Sequence, residues 1–287
     1  MIFSVRKDAR IRHYELFTPE GGFNLGAFEQ AVSQEAADHR KITVVLNFPQ
    51  NPSGYTISER EADGIVRILA DTAAAGTYVL AVTDDAYFGL FYEPETLKES
   101  LFARLCGAHP GILAVKLDGA TKENFVWGLR VGFITYGGLF NGDTSPLFDA
   151  LERKTAGCIR GTISNASHLS QTILLNSMQN EKNPAEKKAT FETLKARAKR
   201  VKAVSKDPKY AEAWEVYPFN SGYFMCIRLK TVDAETLRVH LLDRYGVGLI
   251  SLGESNLRVA FSCTEEADVE KLFDTIFQGV KELGKIK

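Results

Sequence analysis

Hydrophobic positions in the first half of the chain follow two alternating patterns. Apolar runs of strand length lie at residues 11–17, 42–48, 78–83, 111–117 and 131–136. Helical spacing predicts helices at 25–37 and 58–75, and the second begins with a capping box in which Ser58 is the N-cap and Glu61 follows. Continuous apolar strands separated by helices are typical of a parallel sheet covered on both faces. The pattern therefore predicts an α/β fold.

The pattern changes after Asp143. Long polar helices are predicted at 145–158, 166–179 and 184–205. Short strands then alternate with helices, the strands at 223–229, 247–250 and 257–261 and the helices at 234–245 and 265–283. We expect a second, smaller α+β domain behind a long connecting helix. This divides the chain into a large domain, residues 1–190, and a small domain, residues 191–287.

The composition is that of an ordinary globular protein, and it narrows the choice of partners. The chain has 287 residues, 45% of them hydrophobic and 25% charged, with a formal net charge of −1. Such a charge gives no field that would favour nucleic acid or an anionic membrane, and no apolar run reaches the ~18 residues of a membrane span. The four cysteines are scattered, without metal-ligand spacing. We expect a cytoplasmic protein with no metal site, no nucleic acid partner and no membrane partner.

Polar clusters follow the predicted strands, at the edge where open parallel sheets bind ligands. Residues 47–54 read NFPQNPSG, and the prolines and glycine predict a rigid turn from which Asn51 projects. A plain strand-to-helix turn is the alternative. Asp84, Asp85 and Tyr87 follow the next strand, where a buried carboxylate needs a cation or a hydrogen-bond donor. A turn or N-cap aspartate is the simpler alternative there.

Three cations stand out in the same way. Lys122 follows a strand among small residues, where burial would lower its pKa and make the amine a nucleophile. Arg130 opens the next strand between glycines and could clamp a phosphate. Arg258 alternates into an apolar strand, so its guanidinium needs a carboxylate or a cavity. Taken alone, Lys122 and Arg130 are also explained as solvated surface cations, and Arg258 as an arginine of an edge strand whose guanidinium reaches water.

Together these side chains suit pyridoxal 5′-phosphate (PLP). A lysine can bind its aldehyde, a carboxylate can keep its pyridine nitrogen protonated, and an arginine can hold its phosphate. With the motifs in this order from Asn47 to Phe261, the chain resembles the fold-type I PLP-dependent aminotransferases of class I/II, the aspartate/aromatic aminotransferase superfamily. The resemblance implies a three-layer αβα large domain, incomplete at its N-terminal side, with a smaller C-terminal α+β domain.

The resemblance also implies roles for individual residues. Lys122 would carry the cofactor and later move a proton between the substrate Cα and the cofactor. Asp84 would pair with the pyridinium nitrogen, and Tyr87 with the phenolate oxygen of the cofactor. Asn51 would share that oxygen and take part in substrate binding. Arg130 would bind the phosphate.

Two further assignments come from the resemblance. Thr121 stands where the family often has a phosphate-binding serine, whereas Gly119 replaces a second such serine. Arg258 would bind the substrate α-carboxylate.

A weaker match covers residues 160–165. It resembles the stretch of dicarboxylate-specific members in which an arginine, here Arg160, crosses the dimer interface to bind the distal carboxylate. An ordinary arginine at a helix terminus is the alternative. The resemblance implies a homodimer.

The match begins inside the large domain of such an enzyme. The chain therefore resembles an aminotransferase that lacks its N-terminal third, in which the glycine-rich phosphate cradle, the aromatic that stacks on the pyridine and the N-terminal arm fall before Met1. We expect the 287-residue chain alone to bind the cofactor weakly and to be impaired in turnover.

The expected activity is transfer of an amino group between an amino acid and a 2-oxo acid, with a dicarboxylate or aromatic substrate. A PLP-dependent lyase or decarboxylase is one alternative. A non-catalytic, aminotransferase-like ligand-sensing domain is another, although no helix-turn-helix segment or basic patch supports it.

Overall fold

Two four-stranded sheets organise the chain, one in each half. They are seen in a computed structural model that describes residues 9–284. The first sheet, in the order β1-β2-β3-β4, consists of β1 (Lys41–Asn47), β2 (Tyr78–Asp84), β3 (Ile112–Gly119) and β4 (Gly132–Gly137). The second, in the order β5-β6-β8-β7, consists of β5 (Trp214–Val216), β6 (Met225–Leu229), β8 (Asn256–Val259) and β7 (Ile250–Leu252).

Nine α-helices accompany the sheets within residues 9–284. They are α1 (Leu25–Asp38), α2 (Glu59–Ala74), α3 (Leu101–Cys106), α4 (Ala120–Glu123), α5 (Ser145–Thr162), α6 (His168–Gln179), α7 (Asn183–Val204), α8 (Ala234–Tyr245) and α9 (Val269–Leu283). The predicted capping box of α2 is confirmed, because Ser58 Oγ accepts from the Glu61 backbone N–H and the Glu61 carboxylate accepts from the Ser58 N–H at 2.7 Å. No helix in this part of the chain is long and apolar enough to cross a bilayer.

The direction of β4 corrects the prediction of an all-parallel sheet. Strands β1, β2 and β3 run parallel, but β4 pairs with β3 in the antiparallel direction. Gly119 at the end of β3 pairs with Gly132 at the start of β4, so the connection 120–131 stays at the same end of the strands and the chain turns directly back. A parallel strand would have needed a crossover connection that returns the chain to the opposite end of the strands.

The two faces of the first sheet differ in their cover. Helices α1, α2 and α3 pack on the face that carries Ile42, Val79 and Ile112, which the register places in one row. The row containing Asp84, Leu117 and Ile134 lies on the opposite face. On that face Leu117 is 37% exposed and Ile134 is 41% exposed. Among the described residues, helices therefore cover only one of the two faces that were predicted to be covered.

The predicted strand at 11–17 is wrong. Within this segment only Phe17 forms an isolated bridge, with Phe23. Its alternating side chains make other contacts. Arg12 pairs with Glu35 on α1, and Tyr14 packs edge-on against Phe23 with the ring centres 6.1 Å apart. The segment is held by side-chain contacts with Phe23 and with α1 rather than by a ladder of backbone hydrogen bonds.

The second sheet forms its own core with α7, α8 and α9. Helix α7 serves both halves, because Leu194 packs with Tyr87 and Leu90 whereas Ala198 and Val201 lie in the second core. The division at residue 190 falls within this helix and stays a prediction.

The strands of the second half are shorter than predicted. The strand predicted at 223–229 begins only at Met225, the one at 247–250 is displaced to β7, and the one at 257–261 ends at Val259. The three-residue β5 was not predicted. The first of these differences matters for the site, because the residues before β6 leave the sheet to contact the first half of the chain.

Those residues, 219–224, form what we call the clasp segment. The backbone N–H groups of Asn220 and Ser221 both donate to the Gly54 carbonyl, at 3.0 and 2.9 Å. Gly222 donates to the Leu90 carbonyl at 2.9 Å, and the Tyr92 hydroxyl donates to the Gly222 carbonyl at 2.6 Å. The clasp segment therefore fastens the second half to two loops of the first sheet.

This fastening requires glycine at position 54. Gly54 has a φ of +77°, and a Cβ there would collide with the Phe224 carbonyl oxygen and lie 2.9 Å from that of Ser221. We expect Gly54→Ala to lower the free energy of unfolding by about 3 kcal/mol or more, since strain and collision add. Gly142→Ala is the matched control, because Gly142 has a φ of +80° with open space around it. Urea unfolding should show a loss of only about 1–2 kcal/mol for the control, and equal losses would contradict the claimed close approach.

Candidate active site

The carboxyl ends of β1, β2 and β3 bring most of the candidate residues to one edge of the first sheet. Asn51 lies in the turn after β1, Asp84 ends β2 and Tyr87 follows it, and Lys122 lies on α4 directly after β3. Because parallel strands end at the same edge, residues far apart in sequence become neighbours. Arg258 reaches the same place from β8 of the second sheet.

A chain of hydrogen bonds joins the strand ends to this arginine. Asn47 donates from Nδ2 to the Asp84 carbonyl at 2.9 Å and accepts from the Asn51 N–H at 2.8 Å. Arg258 Nη1 then donates to Asn51 Oδ1 at 2.9 Å. Asn47 opens the turn motif 47–54 and was assigned no role from the sequence, although a polar residue at the end of an apolar run was the available signal.

One edge of the Arg258 guanidinium has no hydrogen-bond partner among the described residues. Its Cζ lies 4.1 Å from the centre of the Phe224 ring, and Nη1 is taken by Asn51. The Nε atom is buried and has no hydrogen-bond partner among the described residues. A buried charged donor without a partner is costly. The arrangement therefore favours an anionic acceptor such as a carboxylate.

Lys122 lies beside Tyr87 in an environment that lowers the pKa of its amine. Its Nζ is 5.0 Å from the centre of the Tyr87 ring. Burial lowers the pKa of Lys122, and the positive charge of Arg130 lowers it further, whereas the carboxylate of Asp84 acts in the opposite direction. A lowered pKa raises the fraction of free amine, which is the nucleophilic form.

Asp84 and Tyr87 complete this part of the site. Asp84 is half-buried, and its Oδ1 accepts from the Ala86 N–H at 3.2 Å. Burial raises the pKa of Tyr87, the positive charge of Arg258 lowers it and the negative charge of Asp84 raises it. With the pKa raised overall, the phenol keeps its proton and can donate a hydrogen bond.

The remaining candidates lie in different surroundings. Thr121 is buried beside Lys122, and Arg130 is exposed, with a left-handed φ of 56°. Arg160 is exposed in the last turn of α5 and donates to Ser164 Oγ at 2.8 Å. Within residues 9–284 it contacts none of the other candidate side chains.

Two residues of the site were missed by the sequence reasoning. Tyr223 donates from its hydroxyl to the Lys122 carbonyl at 3.1 Å, and Phe224 packs under Arg258. Both lay in the predicted strand 223–229, where an apolar side chain is explained by burial alone. No sequence signal distinguished them from core residues.

Asp85 lies on the other face of the sheet from Asp84. It is 4% exposed, and its Oδ2 lies 3.7 Å from Lys116 Nζ, which also pairs with Asp118 at 2.7 Å. It lines a cavity of about 10 Å³ with Phe88 and Ser100. Burial raises the pKa of Asp85 from 3.8 to about 6.

This raised pKa makes stability depend on pH. Between pH 3.8 and about 6 the folded chain keeps a proton on Asp85 that the unfolded chain has lost, so stability falls as the pH rises through this range. Asp85→Asn should remove that fall and stabilise the chain at pH 8 by about 1–3 kcal/mol, with no gain at pH 3.5. Urea unfolding at several pH values measures the free energy of unfolding. Asp84→Asn is the control, in which stability should still fall as the pH rises. An unchanged pH slope in Asp85→Asn would refute this assignment.

The fold is that of known aminotransferases. An aminotransferase from Anaerococcus prevotii superposes with a TM-score of 0.78 at 22% identity, covering 92% of this chain and 63% of its own. The alpha-aminoadipate aminotransferase LysN from Thermus thermophilus superposes with a TM-score of 0.68 at 20% identity, covering 92% of this chain and 64% of its own. The chain thus spans less than two thirds of the length of these relatives.

Sequence comparison agrees with the fold. A Bacillus subtilis (strain 168) protein named "Probable N-acetyl-LL-diaminopimelate aminotransferase" is 27% identical over 117 residues, which is 41% of this chain and 26% of that protein. The family model "Aminotransferase class I and II" matches residues 5–276. Since this match covers most of the described strands and helices, the chain belongs to the aminotransferase class I and II family.

Proposed function

We propose that the protein transfers an amino group between an amino acid and a 2-oxo acid by means of pyridoxal 5′-phosphate bound at the candidate active site. Members of the family use this cofactor. The observation that carries the proposal is the meeting of a lysine of lowered pKa, Lys122, with Arg258, an arginine that has a free buried edge. An amine to bind a carbonyl and a guanidinium to bind a carboxylate are the two groups that amino acid chemistry needs.

The donor set fits the cofactor. Lys122 offers the amine, Asp84 a carboxylate for the pyridine nitrogen, and Tyr87 and Asn51 polar groups for the phenolate oxygen. Arg130 is exposed and available to a phosphate. The LysN structure from Thermus thermophilus is complexed with N-(5′-phosphopyridoxyl)-L-leucine, which supports a related ligand here. When bound, the cofactor supplies an electron sink for the bonds at the substrate Cα.

Each residue then has a defined task. Lys122 holds the cofactor and, once its amine is free, takes the proton from the substrate Cα, for which a lowered pKa suits it. Asp84 stabilises positive charge on the pyridine nitrogen. Tyr87, whose pKa is raised by burial, keeps its proton and donates a hydrogen bond to the phenolate oxygen.

Arg258 fixes the substrate by its α-carboxylate. Its Nη1 is held by Asn51, so the guanidinium presents its Nε edge in a set orientation. A carboxylate there forms charge-assisted hydrogen bonds and satisfies a buried donor. This favours amino acids over simple amines as substrates.

The finer parts of the proposal concern substrate and assembly. Arg160 is exposed and apart from the other candidates, so it can serve a distal carboxylate only from a second subunit. A dicarboxylate substrate therefore goes together with a homodimer, whereas an aromatic substrate does not need Arg160. The free cysteines, of which Cys158 and Cys263 are exposed, favour a cytoplasmic location.

Lys122 should be the residue that binds the cofactor covalently. Borohydride reduction in the presence of PLP, followed by peptide mapping, should place the label on Lys122, and Lys122→Ala should lose the label and almost all turnover while keeping its circular dichroism spectrum. Lys187→Ala is the control, because Lys187 lies close by and donates to Asn124 at 3.1 Å. A label that survives in Lys122→Ala would refute the assignment.

Asp84 rather than Asp85 should act on the pyridine nitrogen. Asp84→Ala should lower the rate of the half-reaction with an amino acid far more than it weakens cofactor binding, because the electron sink is lost. Rapid-mixing absorbance measures the rate, with Asp85→Ala as the comparison. A fast Asp84→Ala and an inactive Asp85→Ala would show that the wrong carboxylate was chosen.

A further inference from the structure

An aromatic cluster lies at the boundary of the two halves of the chain. We call Tyr87, Tyr223 and Phe224 the aromatic trio. Tyr87 contacts Tyr223 and Phe224 edge-on, with ring centres 5.8 and 5.7 Å apart, and the centres of Tyr223 and Phe224 are 6.4 Å apart. Each ring thus lies next to the other two.

Two cations of the proposed site, Lys122 and Arg258, rest on this trio. Lys122 Nζ lies 5.0 Å from the centre of the Tyr87 ring, and Arg258 Cζ lies 4.1 Å from that of Phe224. A cation over an aromatic face within about 6 Å is attracted to the ring. The trio is therefore a common platform for the amine and the guanidinium.

Tyr223 also forms a direct hydrogen bond with the main chain of the lysine. Its hydroxyl donates to the Lys122 carbonyl at 3.1 Å, on the short helix α4. Burial raises the pKa of Tyr223, so the donor stays protonated. The bond links a residue of the clasp segment to the main chain that carries the amine.

The platform is itself anchored. The clasp segment ends with Tyr223 and Phe224, and its Gly222 is held from both sides, by the Leu90 carbonyl and by the Tyr92 hydroxyl. The two aromatic residues therefore start from a fixed piece of backbone.

We propose that Tyr223 and Phe224 are positioning residues that set the separation of Lys122 and Arg258, Tyr223 through the main chain of the lysine and Phe224 through the face of the guanidinium. The inference rests on the proposed function for what the two cations bind, but the positioning belongs to the chain itself. The two effects are separable, because one acts at the amine and the other at the carboxylate.

Tyr223→Phe tests the first effect, since it removes only the hydroxyl. Tyr92→Phe is the matched control, because it removes another hydroxyl that holds the clasp segment but does not touch Lys122. In the cofactor-free protein, amide hydrogen exchange over residues 120–125 should speed up by about 2- to 10-fold in Tyr223→Phe and not in Tyr92→Phe. With PLP and an amino acid, Tyr223→Phe should lower kcat and leave KM nearly unchanged.

Phe224→Leu tests the second effect, since it keeps an apolar side chain but removes the ring face. The KM for an amino acid should rise by about 2- to 30-fold with little change in kcat, and the reaction with the corresponding amine, which has no carboxylate, should be unaffected. Phe191→Leu is the control, because its ring packs on Tyr92 and holds neither cation. If Phe224→Leu does not fold in a thermal melt, Phe224→Met replaces it.

The outcomes separate the two proposals. If the wild type forms no bond between Lys122 and PLP, the proposed function fails, and the exchange rates over residues 120–125 still decide the role of Tyr223. If the bond forms but Tyr223→Phe behaves like Tyr92→Phe and Phe224→Leu like Phe191→Leu, the positioning roles are overturned.

Discussion

The close approach of the clasp segment to Gly54 is the contact on which the candidate site depends. Each sheet has its own core, so packing within the halves would not by itself bring Arg258 to the ends of β1 and β2. Asn220 accepts from the Thr56 N–H at 2.8 Å and donates to the Thr56 carbonyl at 2.9 Å, much as a neighbouring strand would. These contacts with the backbone are short and directional, so they fix position where apolar packing alone would tolerate sliding.

Strand alternation gives two neighbouring carboxylates different chemistry. Asp84 faces the side of the first sheet on which Leu117 and Ile134 are exposed, which we call the half-open side, and lies near Lys122. Asp85 faces the side covered by helices, beside Lys116. Successive side chains of a strand point to opposite faces, so one residue step moves a carboxylate from the site into the core. The same alternation places Asn47 in the row of Asp84, where it can join the strand ends to Asn51.

Local rules predicted most of the regular elements, and long-range contacts account for the failures. The capping box of α2 and the strands β1 to β3 follow from turn chemistry and continuous apolar runs. The segment 11–17 has a strand pattern but no neighbouring strand among residues 9–284, because its alternation fits the surface of α1 instead. The direction of β4 depends on where its connection runs, which hydrophobic pattern does not encode.

The candidate site divides in the same way. Polar residues at strand ends, such as Asp84 and Lys122, could be proposed from the sequence because charge in such places is unusual. Tyr223 and Phe224 were not found, since an aromatic residue in a strand is adequately explained by the core. The arginine at position 160 was singled out by a local motif, and its exposed place on α5 leaves its role across a subunit interface a prediction.

The half-open face of the first sheet affects how the chain behaves as a solute. Val45, Leu117 and Ile134 leave apolar surface in contact with water on one side, while the formal net charge of −1 provides almost no repulsion between molecules. Raising the ionic strength would therefore do little to keep molecules apart, because apolar area rather than charge brings them together. The chain is in this respect an amphiphile. Helices cover one side of the first sheet, and the solubility of the chain depends on whether the apolar surface on the other side is covered.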